Sequence, residues 1–271
     1  MREWSLDKDL AGLIEDCIAN GTDAPSRSGE TRSVFGRTLE HHMGSGFPIL
    51  TTRRIFYKGV LGELSAFLEG ATSLARFKAL GCNYWDMNAG GQDDLGRIYG
   101  AQWRGFRGRA GEVDQLKALV AGIKHDPFSR RHILLTWHPA ELDQMCLPPC
   151  YLIHQYNVSP DGELDSLVYM RSVDICLGLP SDLVLSGVLQ MLVARQTNLI
   201  PGRLVFFMGN AHVYKNHFDT CQTQLARSTR FVNGAPPQVL LDPFADLFSF
   251  NPSDAKVINY DPQGALQYEL N

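Results

Sequence analysis

Apolar residues recur at helical spacing in three segments of the chain. Between Ser5 and Gly21 this spacing predicts a surface helix, with Ser5 as its N-cap and Gly21 as its stop. The same spacing predicts helices from Lys58 to Gly70 and from Asp114 to Lys124. A fourth segment, Ser181 to Asn198, is apolar nearly all round, which predicts a helix in the middle of the protein, opened by Asp182.

Extended segments lie between these helices. Tyr151 to Val158 and Leu164 to Arg171 are joined by SPDGE, a turn sequence that predicts an antiparallel hairpin. Further strands are predicted from Leu204 to Met208, from Gln238 to Leu241 and from Lys256 to Tyr260. The polar stretch from Thr22 to Thr31, which is rich in Gly, Pro and Ser and contains Arg27, is predicted to be a loop.

The irregular order of these helices and strands, without an internal repeat or a linker, favours the α+β class. At 271 residues, the chain is expected to form a single domain over 1–271. With 44% hydrophobic and 20% charged residues, its composition is that of a compact globular protein and excludes disorder and coiled coil.

A net charge of -4 does not provide the positive field of a general nucleic-acid binder, so no specific nucleic acid is expected as a partner. No apolar run approaches the ~20 residues that span a bilayer, so no membrane association is expected. The acidic residues near the start are unlike a signal peptide, which favours a cytoplasmic location.

The six cysteines are expected to be reduced thiols, since a chain of this length does not need disulfides. Cys146 and Cys150 are isolated from further cysteines, with only His154 as a nearby histidine, so no metal site is expected.

Cys150 is a candidate nucleophile because it follows two prolines that fix the backbone just before a strand. Most cysteines are simply small core residues, so the neighbouring motifs matter. Arg27, the Arg130–Arg131 pair and Arg171–Ser172 could bind a phosphate and favour the thiolate over the thiol. Glu63 lies among apolar positions of its helix, which predicts a partly buried carboxylate, paired with an arginine or serving in a site.

The order of eight segments along nearly the whole chain resembles the thymidylate synthase family. The segments are SGFPILTTRR, GELSAFLEG, LGRIYGAQWRGF, DPFSRRHILLTWHPAELDQM, LPPC, RSVDICLGLP, GNAHVYKNHF and NYDPQG. The resemblance implies a large bent, mostly antiparallel sheet packed with helices, and a homodimer whose subunits meet sheet to sheet. It also implies a pyrimidine 5'-monophosphate as substrate, 5,10-methylenetetrahydrofolate as one-carbon donor, and no metal.

The same resemblance assigns roles to individual residues. Cys150 would be the nucleophile, Glu63 the carboxylate that orders water for proton transfers, and Tyr99 a support for that network. The phosphate would be held by Arg27, Arg171 and Ser172, together with Arg130 and Arg131 from the other subunit. His212 and Tyr214 would contact the sugar 3'-hydroxyl, and Trp85, Asn88, Asp174 and Gly178 would line the folate and base pocket.

The base-reading position departs from thymidylate synthases. These carry an asparagine in a Pro-Phe-Asn run, whereas this chain has Pro180-Ser181-Asp182. An amide suits uracil, but a protonated acid can donate to cytosine N3 and accept from its amino group, and an ionised acid can pair with N3-protonated cytosine. In this position the chain resembles the cytidylate hydroxymethylases of the family; alternatively, Asp182 only caps the helix.

Four other family positions are changed together. Tyr151 replaces a histidine after the nucleophile, Met170 a glutamine, Asn88 a tryptophan and Asn210 an aspartate. Such changes are expected if the base or the fate of the methylene intermediate differs, although drift in a redundant synthase would look similar. Asn88 in place of a bulky indole favours entry of water and hence a hydroxymethyl product.

The sequence therefore predicts a folate-dependent hydroxymethyltransferase of cytidylate, either dCMP or CMP. The enzymatic alternatives are a dCMP methylase and a thymidylate synthase that acts on dUMP. A non-enzymatic alternative is a regulatory paralogue that binds nucleotide or RNA, against which the retained Cys150 and Glu63 argue. A DNA methylase using S-adenosylmethionine is rejected, since no Gly-rich strand-to-helix motif is evident.

Overall fold

A six-stranded sheet forms the centre of the protein in the computed structural model, which describes residues 4–269. The strands are β1 Thr22–Ser26, β2 Gly29–His42, β3 Phe106–Gly108, β4 Gly111–Val113, β5 Ile133–Leu135, β6 Tyr151–Val158, β7 Glu163–Asp174, β8 Ile200–Tyr214, β9 Gln238–Leu241 and β10 Ala255–Ile258. The large sheet has the order β1-β2-β8-β7-β6-β5, and β9–β10 and β3–β4 form small hairpins beside it.

The large sheet is mostly antiparallel, since β7 and β8 form its one parallel pair. The predicted hairpin of β6 and β7 is confirmed, with Tyr156 opposite Ser166. β8 extends beyond the predicted strand at both ends and pairs with β2 on its other side, which places His212 opposite Asp174 of β7.

Eight helices in the described residues pack around this sheet. They are α1 Leu6–Asn20, α2 Tyr57–Glu69, α3 Leu74–Ala79, α4 Asp86–Ala89, α5 Tyr99–Arg104, α6 Gln115–His125, α7 Leu179–Thr197 and α8 Phe218–Leu225. As predicted, α7 is buried nearly all round; it packs between β7, β8 and α2. The mixture of helices with a large mixed sheet confirms the α+β class.

The prediction of a loop from Thr22 to Thr31 is wrong. This segment contains β1 and the start of β2, which form a hairpin at the edge of the sheet with Arg27 in its turn. All residues of β1 are exposed, so the strand lacks the alternation of apolar and polar residues from which a strand is predicted. Pro25 is tolerated because an edge strand has backbone N–H groups that need no partner.

One face of the sheet carries exposed apolar side chains away from α7. Ile133, Leu167 and Phe207 are each more than a third exposed, and the ring of Tyr169 stacks on that of Phe207. Strand register places these residues on the same face of neighbouring strands. Among the helices of residues 4–269, none combines the length and apolar character that a bilayer crossing requires.

Candidate active site

Cys150 lies in a turn that is bonded firmly to β7. Arg171 donates from Nε to the Pro149 carbonyl (2.8 Å) and from Nη2 to the Pro148 carbonyl (2.9 Å). The backbone N–H of Arg171 donates to the Cys150 carbonyl (2.9 Å). The two prolines and these three hydrogen bonds fix the direction of the thiol, which explains structurally why LPPC precedes the strand.

Tyr99 supports the same residue from the other side. Its hydroxyl oxygen accepts the backbone N–H of Cys150 at 2.8 Å. The Tyr99 ring lies between Phe67 and Tyr151, with centroid distances of 5.0 Å and 4.4 Å. A residue that is packed on both faces and bonded at its tip positions the nucleophile.

A cavity of about 220 Å³ opens beside the thiol. Nine residues singled out from the sequence line it: Cys150, Glu63, Tyr99, Trp85, Asn88, Ser172, Asp174, Gly178 and Asp182. They come from α2, α4, α5, β7 and α7 and from the turns beside them, so the fold brings together segments that are far apart in sequence.

Glu63 is partly buried, as predicted, but an arginine does not satisfy it. Its two oxygens accept hydrogen bonds from Tyr84 Oη (2.8 Å) and Trp85 Nε1 (2.7 Å). Burial raises the pKa of Glu63 to about 7, against the effect of these two donors. A carboxyl group with this pKa can both take up and release a proton near neutral pH.

Asp182 lies in the first turn of α7, which begins at Leu179, two residues earlier than predicted. The helix is capped by Gly178, which has no side chain, so the alternative that Asp182 is only the helix cap is wrong. Burial raises the pKa of Asp182 well above its usual range, and the charges of Glu63 and Asp174 raise it further. The neutral acid is thus favoured in this cavity.

The pKa of the Cys150 thiol is raised, although Arg27 and Arg171 act toward the thiolate form. Burial raises the pKa of Cys150, and the charge of Asp182 acts in the same direction. Arg171, Tyr99 and Arg27 lower the pKa, but their combined effect is smaller. Desolvation of an anion in a narrow cavity therefore outweighs positive charges around it.

Asp174 and Gly178 shape the opposite wall of the cavity. Asp174 Oδ1 accepts the backbone N–H groups of Cys176 (2.9 Å) and Leu177 (3.0 Å), which fixes the turn into α7. A Cβ atom at Gly178 would lie 3.8 Å from Asp182 Oδ2, so a larger side chain would fill the space in front of that acid. Trp85 and Asn88 line the same cavity as Asp174 and Gly178, so the four residues predicted to line the folate and base pocket lie together.

The predicted phosphate ligands are only partly gathered. Ser172 lines the main cavity, while Arg27 lines an adjoining cavity of about 240 Å³ with Asn88 and Cys146. Asn88 borders both cavities and so connects them. Arg171 is held by the proline carbonyls, with its guanidinium over the Trp137 ring.

Four further predicted ligands, namely His212, Tyr214, Arg130 and Arg131, also lie outside the main cavity. His212 is on β8 and its Nδ1 hydrogen-bonds with Asn210 Oδ1 at 3.0 Å; burial lowers the pKa of His212, which favours the neutral ring. Tyr214 meets the His212 ring edge to face. Arg130 and Arg131 are exposed in the turn between α6 and β5, and this chain does not bring them to its own Cys150.

Sequence reasoning missed two aromatic residues that line the cavity, Tyr84 and Tyr151. Tyr151 was noted as a departure from the family, but its place beside Tyr99 was not predicted. For Tyr84, its position next to Trp85 was the only signal, and consecutive side chains usually point in different directions. In the described part of the chain, no group of three or more His, Cys, Asp or Glu residues is arranged to hold a metal ion.

The fold and the cavity define an α+β protein in which a thiol and two carboxyl groups of raised pKa line one cavity. The family model described as thymidylate synthase matches residues 8–271, so the chain belongs to the thymidylate synthase family. It is accordingly a one-carbon transferase, of the family that transfers a one-carbon unit from methylenetetrahydrofolate to C5 of a pyrimidine nucleotide.

Proposed function

We propose that the protein hydroxymethylates C5 of cytidylate, either dCMP or CMP. The observation that carries this proposal is the carboxyl group of Asp182 in the cavity of Cys150, where burial raises its pKa and favours the neutral form. A neutral acid offers one O–H donor and one carbonyl acceptor, which matches the N3 acceptor and the amino donor of cytosine. Uracil presents an N3–H donor and an O4 acceptor, so the carboxyl group would have to be turned over to pair with it, and the preference for cytosine requires that Asp182 be held in one orientation.

The proposed reaction begins with addition of the Cys150 sulfur to C6 of the pyrimidine, because C5 is a poor nucleophile until that bond forms. The rigid turn and the Tyr99 hydroxyl hold the sulfur for this addition. A neutral Asp182 also lacks the charge that raises the pKa of Cys150, so the protonation state that suits cytosine also favours the thiolate.

Glu63 is proposed to take the C5 proton through water once the one-carbon unit is attached. Its pKa of about 7 lets it accept this proton and release it in the next turnover. Loss of the C5 proton expels tetrahydrofolate from the attached carbon and leaves an exocyclic methylene on the nucleotide. Addition of water to this methylene, with breakage of the bond between C6 and the Cys150 sulfur, gives a hydroxymethyl product, and addition of hydride from the folate would give a methyl product.

Asn88 is proposed to favour the water route. Its short polar side chain stands where the main cavity meets the cavity of Arg27, so it borders a path from the outside to the reacting carbon. When bound, methylenetetrahydrofolate would supply the one-carbon unit at the oxidation level of formaldehyde. Trp85, Asn88, Asp174 and Gly178 are the residues proposed to hold it, and no metal takes part.

The phosphate and sugar ligands are proposed by the same family correspondence. Arg27, Arg171 and Ser172 would bind the phosphate, and His212 and Tyr214 the sugar 3'-hydroxyl. The effect of two arginines on Cys150 supports this proposal: both Arg27 and Arg171 lower the pKa of the thiol, as positive charges close to it would.

A homodimer is proposed to complete the phosphate site with Arg130 and Arg131 of the partner. Two observations support this assembly: the exposed apolar face that includes Leu167 and Phe207, and the exposure of both arginines just before β5 at the edge of that face. Inactive Cys150→Ala chains mixed with inactive Arg130→Ala/Arg131→Ala chains should then recover some activity. No recovery despite demonstrated subunit exchange would contradict a shared site.

Binding of nucleotides to Cys150→Ala tests the base reader without turnover. This variant should bind cytidylate more tightly than the matching uridylate in calorimetric titrations and should form no product with methylenetetrahydrofolate. Equal affinity for the two bases would contradict the role of Asp182, and residual turnover would contradict the covalent mechanism. A purely regulatory paralogue would bind nucleotide but would show no turnover in the wild type.

A further inference from the structure

Tyr84 donates one of the two hydrogen bonds that hold Glu63. The Tyr84 hydroxyl lies 2.8 Å from Glu63 Oε2, and the indole nitrogen of the next residue, Trp85, lies 2.7 Å from Oε1. Two consecutive residues therefore bind the two oxygens of one carboxyl group. This arrangement fixes the plane of the carboxyl group, since rotation would break both bonds.

Two glycines in α2 make this approach possible. A Cβ atom at Gly62 would lie 2.3 Å from the Leu80 carbonyl oxygen, so the chain segment before Tyr84 packs directly on the helix backbone. A Cβ atom at Gly59, one turn before Glu63, would lie 2.4 Å from the Phe56 ring and 3.3 Å from the Tyr84 ring. Glycine weakens a helix interior, so its presence at both positions indicates that close packing is needed there.

Both donors stabilise the ionised form of Glu63 against burial. Each carboxylate oxygen has two acceptor sites, so a bond from Tyr84 and a bond from Trp85 still leave one site on each oxygen for water. Glu63 lines the same cavity as Cys150, so a water molecule in this cavity can reach the free acceptor sites of the carboxylate.

We propose that Tyr84 is a positioning residue for the reaction: its hydroxyl holds Glu63 so that the carboxylate receives the C5 proton through a cavity water. The role of Glu63 in this inference rests on the function proposed above. Tyr84 contacts neither the nucleotide nor the nucleophile in this account; it acts through Glu63. Loss of its hydroxyl should therefore change proton transfer and leave nucleotide binding nearly unchanged.

Tyr84→Phe removes the donor and keeps the ring in its slot against Gly59. A hydrogen bond to the charged form lowers the pKa of an acid, so its removal should raise the pKa of Glu63 by about one pH unit. The acidic limb of the kcat/KM profile with cytidylate should move upward by the same amount, and kcat at pH 7 should fall roughly three- to tenfold. The KM for the nucleotide should change less than about twofold.

Tyr156→Phe is the matched control, because it deletes another buried tyrosine hydroxyl, on β6, whereas Glu63 is bonded by Tyr84 and Trp85. Tyr156→Phe should leave the pH dependence of kcat/KM unchanged. An equal upward shift in Tyr156→Phe would overturn the proposal, since the effect would then reflect general loosening of the core.

A second readout does not depend on activity. Infrared difference spectra can follow the carboxyl titration of Glu63, identified by its loss in Glu63→Gln, and Tyr84→Phe should shift this titration upward. An unchanged pKa of Glu63 in Tyr84→Phe would overturn the inference. A raised pKa of Glu63 without a matching shift in the acidic limb of the kcat/KM profile would also overturn it. If no pyrimidine nucleotide is turned over by the wild type, the proposed function fails, and the infrared titration alone decides whether Tyr84 controls Glu63.

Discussion

The negative charge of Asp182 raises the pKa of Cys150, and both side chains line the same cavity. The proposed base reader and the proposed nucleophile are thus electrostatically linked. A proton on Asp182 would both suit cytosine and remove an obstacle to thiolate formation. A ligand that stabilises neutral Asp182 would therefore also prepare the sulfur for attack.

This link predicts a change in thiol reactivity without any substrate. Asp182→Asn removes the charge and keeps the shape, so the pH midpoint for alkylation of Cys150 by iodoacetamide should fall. Asp174→Asn is the control, because Asp174 lines the same cavity but is not among the groups that shift the pKa of Cys150. A midpoint that stays in place in Asp182→Asn, or falls equally in both variants, would refute the link.

The same substitution should change the base preference. In the orientation that pairs with uracil, an amide mispairs with cytosine, and a mispaired buried polar group costs ~1–3 kcal/mol, or roughly one to two factors of ten in kcat/KM. Asp182→Asn should therefore lose activity on cytidylate and gain activity on uridylate, and the two changes together could invert the preference. Competition between the two nucleotides directly measures the ratio of kcat/KM for cytidylate to kcat/KM for uridylate. An Asp182→Asn ratio equal to that of the wild type would contradict the role of Asp182 in base recognition.

Glu63 should destabilise the protein at alkaline pH. Its pKa in the folded protein is about 7, above the usual value of 4.5, so the folded state holds this proton more tightly than the unfolded state. The stability of the fold then decreases as pH rises from about 4.5 through about 7, by up to ~3 kcal/mol for this group.

Glu63→Gln is expected to show this effect in thermal unfolding. Gln keeps an acceptor for Trp85 and a donor for Tyr84 but carries no charge. It should raise Tm at pH 8 and change it little at pH 5, while turnover is lost. An equal change in Tm at both pH values would mean that the pKa of Glu63 is not raised by folding.

Asn88 is expected to influence the product. Asn88→Trp should narrow the junction between the two cavities and shift some product from the hydroxymethyl to the methyl form. Mass spectrometry of the nucleotide, together with absorbance of the released folate, distinguishes the two. Asn88→Ala, which keeps the junction open, is the control and should retain the hydroxymethyl product. If Asn88→Trp also gives only the hydroxymethyl product, Asn88 does not control the entry of water.

Helices and strands with strong apolar patterns were predictable from the sequence. The uniformly apolar α7 and the β6–β7 hairpin were predicted because burial and turn chemistry both act locally. The β1–β2 hairpin was not predictable, because β1 is exposed throughout and is defined only by its hydrogen bonds to β2. Such pairing leaves no periodic signal in the sequence.

More of the candidate site than of the fold could be predicted from the sequence. The resemblance to the family identified site residues in segments that are far apart along the chain. Glu63, Asp182 and Cys150 do meet in one cavity. The raised pKa of Cys150 was not predicted, since the count of arginines says nothing about desolvation, which dominates in a narrow cavity. The bond of Tyr84 to Glu63 depends on the close packing at Gly59 and Gly62, which only the structure reveals.

The central claim is that this member of the thymidylate synthase family acts on cytosine. Its most direct test is to incubate the protein with methylenetetrahydrofolate and each of dUMP, dCMP, UMP and CMP, and then to weigh the nucleotide products. We expect a hydroxymethyl product from dCMP or CMP, with tetrahydrofolate released. Preferential conversion of dUMP to a methylated product, with dihydrofolate released, would contradict the account and identify an ordinary thymidylate synthase.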